Sequence, residues 1–270
     1  MPHLTLSDGE QLYYEDHGTG RPLLLVSGLG GTASFWAPHV TPLAENFRVI
    51  LHDHRGTGSS SKSLIDYSIA QMTGDLLELM DHLDIARADF VGHSTGGAIG
   101  QTMALDHPER IDRLVLSATW TAADDYFRRL FDMRSNILRT GGVEAYVRSQ
   151  AVFMFPPGWV RDRMSGMLQQ ENASIAAFPP PEVMLRRIQA ILRFGRQDEL
   201  GNISAPCLVI GAQDDMITPV YFTEELGRLI PGAQTVILPG GGHFFPISQA
   251  ELFRDHLTGF LASTESIDDD

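Results

Sequence analysis

A single cysteine, Cys207, occurs in 270 residues, so no internal disulfide can form. It lies in an apolar run and reads as a small buried hydrophobe. No apolar stretch approaches the roughly 20 residues needed to cross a bilayer; Pro22–Val26 is typical of the longest. The start, Met-Pro-His-Leu-Thr-Leu-Ser-Asp-Gly, lacks a basic stretch followed by a long apolar one. No secretory signal is expected, and a cytoplasmic location fits. Positive charge is also scarce. A formal net charge of −14 argues against nucleic acid or anionic membrane as a partner.

What is present suffices for one large α/β core with an inserted subdomain. The charge is uneven. From Thr121 to Leu200 the chain carries eleven arginines and nine acidic residues, so this segment is +2 and the remainder −16. The closing Asp268-Asp269-Asp270 reads as a solvated tail without function.

Leu4–Leu6 and Gln11–Glu15 read as strands joined around Asp8-Gly9, a hairpin signal. Pro22–Ser27 and Phe47–Asp53 read as buried strands, with a helix near Trp36–Glu45 that contains Pro38 and Pro42. In Ile69–Leu83, Met72, Leu76, Leu79, Met80 and Leu83 share one face at helical spacing. A strand at Ala88–Val91, a helix at Thr95–Leu105 and a strand at Arg113–Ala118 follow. This alternation predicts a mainly parallel sheet with helices on both faces. It stops at Trp120 and resumes with strands at Cys207–Ala212 and Thr235–Leu238 and a helix at Gln249–Leu261. Residues 1–120 and 201–270 are therefore expected to form the core, and residues 121–200 a helical cap.

Between the strand at Ala88–Val91 and the helix after it stands Gly92-His93-Ser94-Thr95-Gly96. So sharp a turn from strand to helix strains the central residue, and flanking glycines relieve the crowding. Ser94 is thereby presented at the carboxyl end of a sheet and the amino end of a helix, where developing negative charge is favoured. A serine hydroxyl needs a base to take its proton and an acid to orient that base. In this kind of sheet they follow in the order Ser…Asp/Glu…His. His243 stands in the glycine-rich loop after the strand Thr235–Leu238. The acid comes from the adjacent pair Asp214 and Asp215; Asp215 is favoured by its spacing to Pro219, with Asp214 the alternative.

An acyl-transfer site also needs donors for the oxyanion. The N–H of Thr95 and that of Leu29, in the loop Ser27-Gly28-Leu29-Gly30-Gly31, are the candidates. That loop lacks the Lys-Ser/Thr ending of a phosphate loop and the Gly-x-Gly-x-x-Gly spacing of a dinucleotide fold. His52-Asp53-His54 offers three metal-ligating types, but Asp53 falls on the opposite strand face and no fourth ligand is evident. No cofactor and no metal are expected.

These pieces, with Asp53-His54-Arg55-Gly56-Thr57-Gly58-Ser59, resemble the α/β-hydrolase fold superfamily across residues 4–262. The set implies the fold and a Ser/Asp/His site more than any one substrate. Ser27 departs from the wider pattern, where a histidine more often precedes the oxyanion-loop glycine. Tyr67-Ser68-Ile69-Ala70-Gln71-Met72, Gly141-Gly142, Phe155-Pro156-Pro157-Gly158-Trp159, Leu185-Arg186-Arg187 and Asp214-Asp215 further resemble the RutD-type hydrolases of pyrimidine degradation. That resemblance implies aminoacrylate or carbamate hydrolysis.

The expectation is a serine hydrolase for a small ester, lactone, amide or carbamate. Cleavage of a C–C bond or of an enamine acid on the same residues is one alternative. A non-catalytic binding protein for small molecules is another. In the cap, Trp120, Tyr126, Phe127, Phe153, Phe155 and Trp159 are expected to line a pocket. Arg128, Arg129, Arg186 or Arg187 is expected to hold a substrate carboxylate. Monomer and homodimer both remain open.

Overall fold

Apolar runs too short to be helices, and apolar on both faces, must pair with one another inside a two-sided sheet. The computed structural model, which describes residues 2–262, shows this arrangement. Its strands are β1 (His3–Thr5), β2 (Gln11–His17), β3 (Arg21–Val26), β4 (Phe47–His52), β5 (Ala88–His93), β6 (Ile111–Ser117), β7 (Cys207–Ala212) and β8 (Gln234–Leu238). They form one sheet in the order β1-β2-β4-β3-β5-β6-β7-β8. The first two are antiparallel, and every pairing from β4 to β8 is parallel. Strands β5 and β7, in the interior of the sheet, are buried at every residue. The expected tail Asp268-Asp269-Asp270 lies outside the described residues.

Helices α1 (Ala37–Ala44), α2 (Ile69–His82), α3 (Thr95–Asp106), α8 (Val220–Leu229), the single turn α9 (Phe245–Ser248) and α10 (Ala250–Ala262) belong to the sheet's two covering layers. One layer packs α2, α3 and α8 on the face carrying Leu24, Ile50, Phe90 and Leu114. The other packs α1 and α10 on Leu23, Leu25, Val49 and Val91. The helix expected at 36–45 is shorter, because a 3-10 turn over Ala33–Trp36 precedes it. Pro38 is tolerated in its first turn, where the N–H has no partner anyway. Pro42 removes the bond to the carbonyl of Pro38, which instead accepts from Arg254 Nη1 at 3.4 Å.

Between β6 and β7 the chain forms α4 (Asp125–Asn136), α5 (Gly142–Met154), α6 (Pro157–Ala176) and α7 (Pro181–Arg193). The ends of this segment meet: Ala122 and Gly195 form an isolated antiparallel bridge, and Arg196 N–H donates to the Thr121 carbonyl at 3.0 Å. Asp124 caps α4 by accepting from Phe127 N–H at 2.7 Å. A π-helical turn over Ile137–Gly141 and a left-handed Gly142 (φ 74°) reverse the chain into α5.

Candidate active site

Ser94 links β5 to α3 with φ 55° and ψ −114°, a conformation that costs a non-glycine residue roughly 1–3 kcal/mol. The surroundings leave it no choice. Its N–H donates to the Ser117 carbonyl at 2.8 Å, and its own carbonyl accepts from Gly97 N–H at 2.9 Å and Thr119 Oγ1 at 2.9 Å. A Cβ on Gly96 would strike the Val26 carbonyl, and one on Gly92 would strike Gly96, so neither flanking position admits a side chain. Gly28 lies directly alongside, where an added Cβ would sit 3.1 Å from Ser94 Cβ.

The loop after β7 resolves the choice between the two aspartates. Asp215 is 5% exposed, and its Oδ2 lies 2.8 Å from His243 Nδ1. Thr218 Oγ1 donates to the same oxygen at 2.8 Å, and the N–H groups of Ile217 and Thr218 donate to Oδ1 at 2.7 and 3.0 Å. A carboxylate with this many donors is fixed in rotation. Asp214 serves the neighbouring loop, accepting from the N–H of Gly242 at 2.8 Å and of Gly241 at 3.3 Å. One carboxylate therefore holds the imidazole, and the other holds the backbone carrying it. Gly242 (φ 66°) packs under Met154, whose carbonyl accepts Phe244 N–H at 2.9 Å.

With Nδ1–H donated to Asp215, the neutral ring of His243 keeps its lone pair on Nε2. The ring of His93, next in the chain to Ser94, stands 4.9 Å from that of His243 and stacks on Phe35. Burial holds the His93 pKa far below the ordinary histidine value, so this neighbour is an uncharged spacer. Such an arrangement can move one proton between a hydroxyl and an imidazole and stabilise the imidazolium formed.

Thr95 opens α3, where its N–H has no acceptor within the helix. Leu29 lies in a tight turn closed by Gly31 N–H to the Gly28 carbonyl at 2.9 Å. That turn is held from the helices above. Arg187 on α7, wholly buried, donates through Nη2 to the Leu29 carbonyl at 3.1 Å and through Nη1 to the Arg55 carbonyl at 2.7 Å. Nη2 also lies 3.1 Å from His54 Nδ1, which must accept, because a guanidinium only donates. Burial lowers the Arg187 pKa to about 10, and it remains a cation at neutral pH.

The His-Asp-His run is used structurally. The rings of His52 and His54 stack 4.9 Å apart. Asp53 points elsewhere, accepting from Ala33 N–H at 2.8 Å and Ser59 N–H at 2.7 Å.

Other sequence-based assignments need correction. Trp120 and Phe127 do not line a pocket. Both are fully buried and packed on each other 4.8 Å apart, with Phe194, Phe131 and Phe222 around them, and they seat α4 on the sheet. Arg187 is wholly buried against the core, where main-chain carbonyls and His54 take its Nη groups and only its Nε lacks a partner. Arg128 and Arg129 lie on the exposed face of α4 beside Asp125 and Asp132. Arg186 is exposed and donates to the Ile65 carbonyl at 3.0 Å. Phe155 and Trp159 do adjoin the site: they stack 4.0 Å apart, and Phe155 meets Phe244 edge-on at 5.4 Å. Phe153 is half-buried against the core. Tyr126 donates to the Met216 carbonyl at 2.7 Å, beside Asp215.

Sequence reasoning passed over Thr218, which steadies Asp215, and Asp53, which braces the loops on either side of β4. It also passed over Arg134, buried on α4. Its signal was positional: Phe127, Leu130, Phe131 and Leu138 share one helical face, and Arg134 falls on it.

A family model for the alpha/beta hydrolase fold matches residues 21–250. A protein of a Caulobacter species named "Putative carbamate hydrolase RutD" is 40% identical over 256 residues, covering 93% of this chain and 96% of the relative. A protein of the same name from Azorhizobium caulinodans is 38% identical over 265 residues, covering 98% of this chain and 100% of the relative. Among solved structures, the enol-lactonase of Burkholderia xenovorans superposes with a TM-score of 0.89 at 30% identity, over 97% of this chain and 100% of its own. A thermophilic esterase of Thermogutta terrifontis gives 0.85 at 26% identity, over 97% and 98%. Among the described residues no helix is long and apolar enough to cross a membrane. The strained serine elbow, the buried Asp215–His243 pair and these relatives agree: the chain belongs to the α/β hydrolase fold family and is a hydrolase.

Proposed function

We propose that this chain is a serine hydrolase that cleaves a small ester, lactone, amide or carbamate through an acyl-enzyme on Ser94. The reading rests above all on the 2.8 Å Asp215–His243 contact, almost wholly buried, with the His243 ring 4.9 Å from that of His93, which precedes the strained Ser94 in the chain. Ser94 Oγ attacks the substrate carbonyl carbon while His243 Nε2 takes its proton. Asp215 stabilises the resulting imidazolium, and the N–H groups of Leu29 and Thr95 hold the oxyanion. Collapse breaks the bond to the leaving group, which departs with the proton from His243. Water then attacks the acyl-enzyme with His243 as base, releasing the acid and restoring Ser94.

Residues 121–200 are assigned as a cap over this site, on a core of residues 1–120 and 201–270. The carbamate-hydrolase name of the relatives and the lactonase and esterase activities named for the structural neighbours support small acyl substrates.

The test is hydrolysis of p-nitrophenyl acetate together with labelling by a fluorophosphonate. Wild-type protein should turn over the ester and bind one equivalent of label. S94A should lose about four to six orders of magnitude in kcat and take up no label. Retention of most activity by S94A would defeat the covalent scheme.

A further inference from the structure

We propose that Arg134 is the carboxylate-binding residue of the substrate pocket, so that preferred substrates carry an acid group apart from the bond cleaved. The inference rests on the serine-hydrolase reading and narrows its substrate class.

Arg134 is 3% exposed, yet among the described residues it has no carboxylate partner. Its Nη2 donates to Gln150 Oε1 at 2.6 Å and, more weakly, to Tyr146 Oη at 3.3 Å. Its buried Nε has no acceptor. The guanidinium lies over the rings of Phe131, at 4.6 Å, and Tyr146, at 5.7 Å. The other helical arginines are disposed of differently. Arg148, Arg161, Arg193 and Arg196 pair with carboxylates; Arg187 gives its Nη groups to two main-chain carbonyls and His54, with its Nε also lacking an acceptor, whereas Arg134 meets only the side chains of Gln150 and Tyr146. A cation drawn out of water costs heavily unless an anion meets it, and apolar replacement is often at least as stable. Retaining Arg134 therefore points to an anion that arrives with the ligand. A planar fork with a vacant Nε–H suits a carboxylate better than any other small anion-bearing carbon group.

Position ties this cation to the reaction. Helix α4, which carries Arg134, is fastened near its start to the Asp215 loop by Tyr126 Oη to the Met216 carbonyl. Helix α5, which carries Gln150 and Tyr146, ends at Met154, whose carbonyl accepts the N–H of Phe244 next to His243. Gln150 lies one turn before Met154. One helical pitch of about 5.4 Å along α5 therefore separates the residue that meets Arg134 from the one that holds the His243 loop.

The decisive comparison is mono-p-nitrophenyl glutarate against p-nitrophenyl butanoate, with wild type and R134Q. Wild type should favour the acidic ester in kcat/KM, and in R134Q that ratio should fall about 10- to 100-fold, chiefly through KM. R134K, which keeps the charge but loses the fork, should fall between the two, and it carries the same comparison should R134Q not fold. Calorimetric titration of glutarate into S94A, and into S94A with R134Q, reads the site without chemistry. Binding to the first and not the second supports the assignment even if no ester is hydrolysed, in which case only the serine mechanism has failed. A wild type indifferent to the acid group, an equal loss on both esters, or glutarate bound equally by both S94A proteins overturns it.

Discussion

The carboxyl edge of the sheet and the helices above it answer their buried charges with different partners. At the edge, Asp215 and Asp214 are saturated with donors, and the backbone at Ser94 is tied on both sides. In the helices, the Nη groups of Arg187 go to core carbonyls and His54 and Nη2 of Arg134 goes to Gln150 and Tyr146, and each guanidinium keeps an Nε without an acceptor. The two carboxylates of the edge are fixed before any substrate enters, as preorganised electrostatics requires. The two buried guanidiniums of the helices have only neutral acceptors. On the proposed reading, chemistry is built into the first region and selectivity is left to the second.

The strongest way to break that division is at the edge. D215N should lower kcat about 10⁴-fold, because the imidazole loses both its orientation and its tautomer. D214N should cost only about tenfold, since it loosens the loop rather than the ring; an equal loss in the two variants would show that one carboxylate does not hold the ring alone. Second comes Arg187. R187M strands the carbonyls of Leu29 and Arg55, and chemical denaturation should register a loss of about 3–5 kcal/mol. R134M, which removes an equally buried cation without a carbonyl partner, should lower stability by less than half as much. Reversal of that order would sink the contrast between braced and unbraced arginines.

A smaller effect comes from pH. Burial pulls His52 down to about 4, so it is neutral in the fold at neutral pH. Between about pH 6.5 and 4 the unfolded chain binds the extra proton and the folded one does not, so stability falls as pH falls. Relative to H52F, wild type should lose about 1.4 kcal/mol for each pH unit across that window and nothing above it, read from urea midpoints. Parallel pH profiles for the two proteins would show that His52 is not the group responsible. The smallest effect belongs to the outer helix faces. Neutralising Arg128, Arg129 and Arg186 together should shift stability by no more than about 0.5 kcal/mol per site and leave KM for mono-p-nitrophenyl glutarate unchanged. A raised KM would return the anion site to the surface.

Legibility followed the same boundary. Strands β3 to β7, and the helices α2 and α3, were readable because apolar periodicity and a glycine-flanked serine are local properties of adjacent residues. The three positions proposed for catalysis, Ser94, Asp215 and His243, could be picked out because each follows a recognisable strand end. Two of the aromatic residues expected to line a pocket, Trp120 and Phe127, were misread. Trp120 and Phe127 look no different in sequence from Phe155 and Trp159, although the first pair is packed solid and the second adjoins the His243 loop. Both buried arginines of the helices sit on apolar faces, Arg134 among Phe127, Leu130 and Leu138, and Arg187 among Val183, Met184, Ile188 and Ile191. That pattern marks burial, but burial alone does not say which partners each one meets.

By itself the chain determined its elements, their alternation and the presentation of Ser94, because those depend on the geometry of neighbours within a turn or two. Only the folded molecule decided that Asp215 rather than Asp214 faces His243, and that Arg187 reaches Leu29 across 158 positions of sequence. Contacts of that span are set by how the layers pack, and a side chain's charge is answered by whatever packing brings to it.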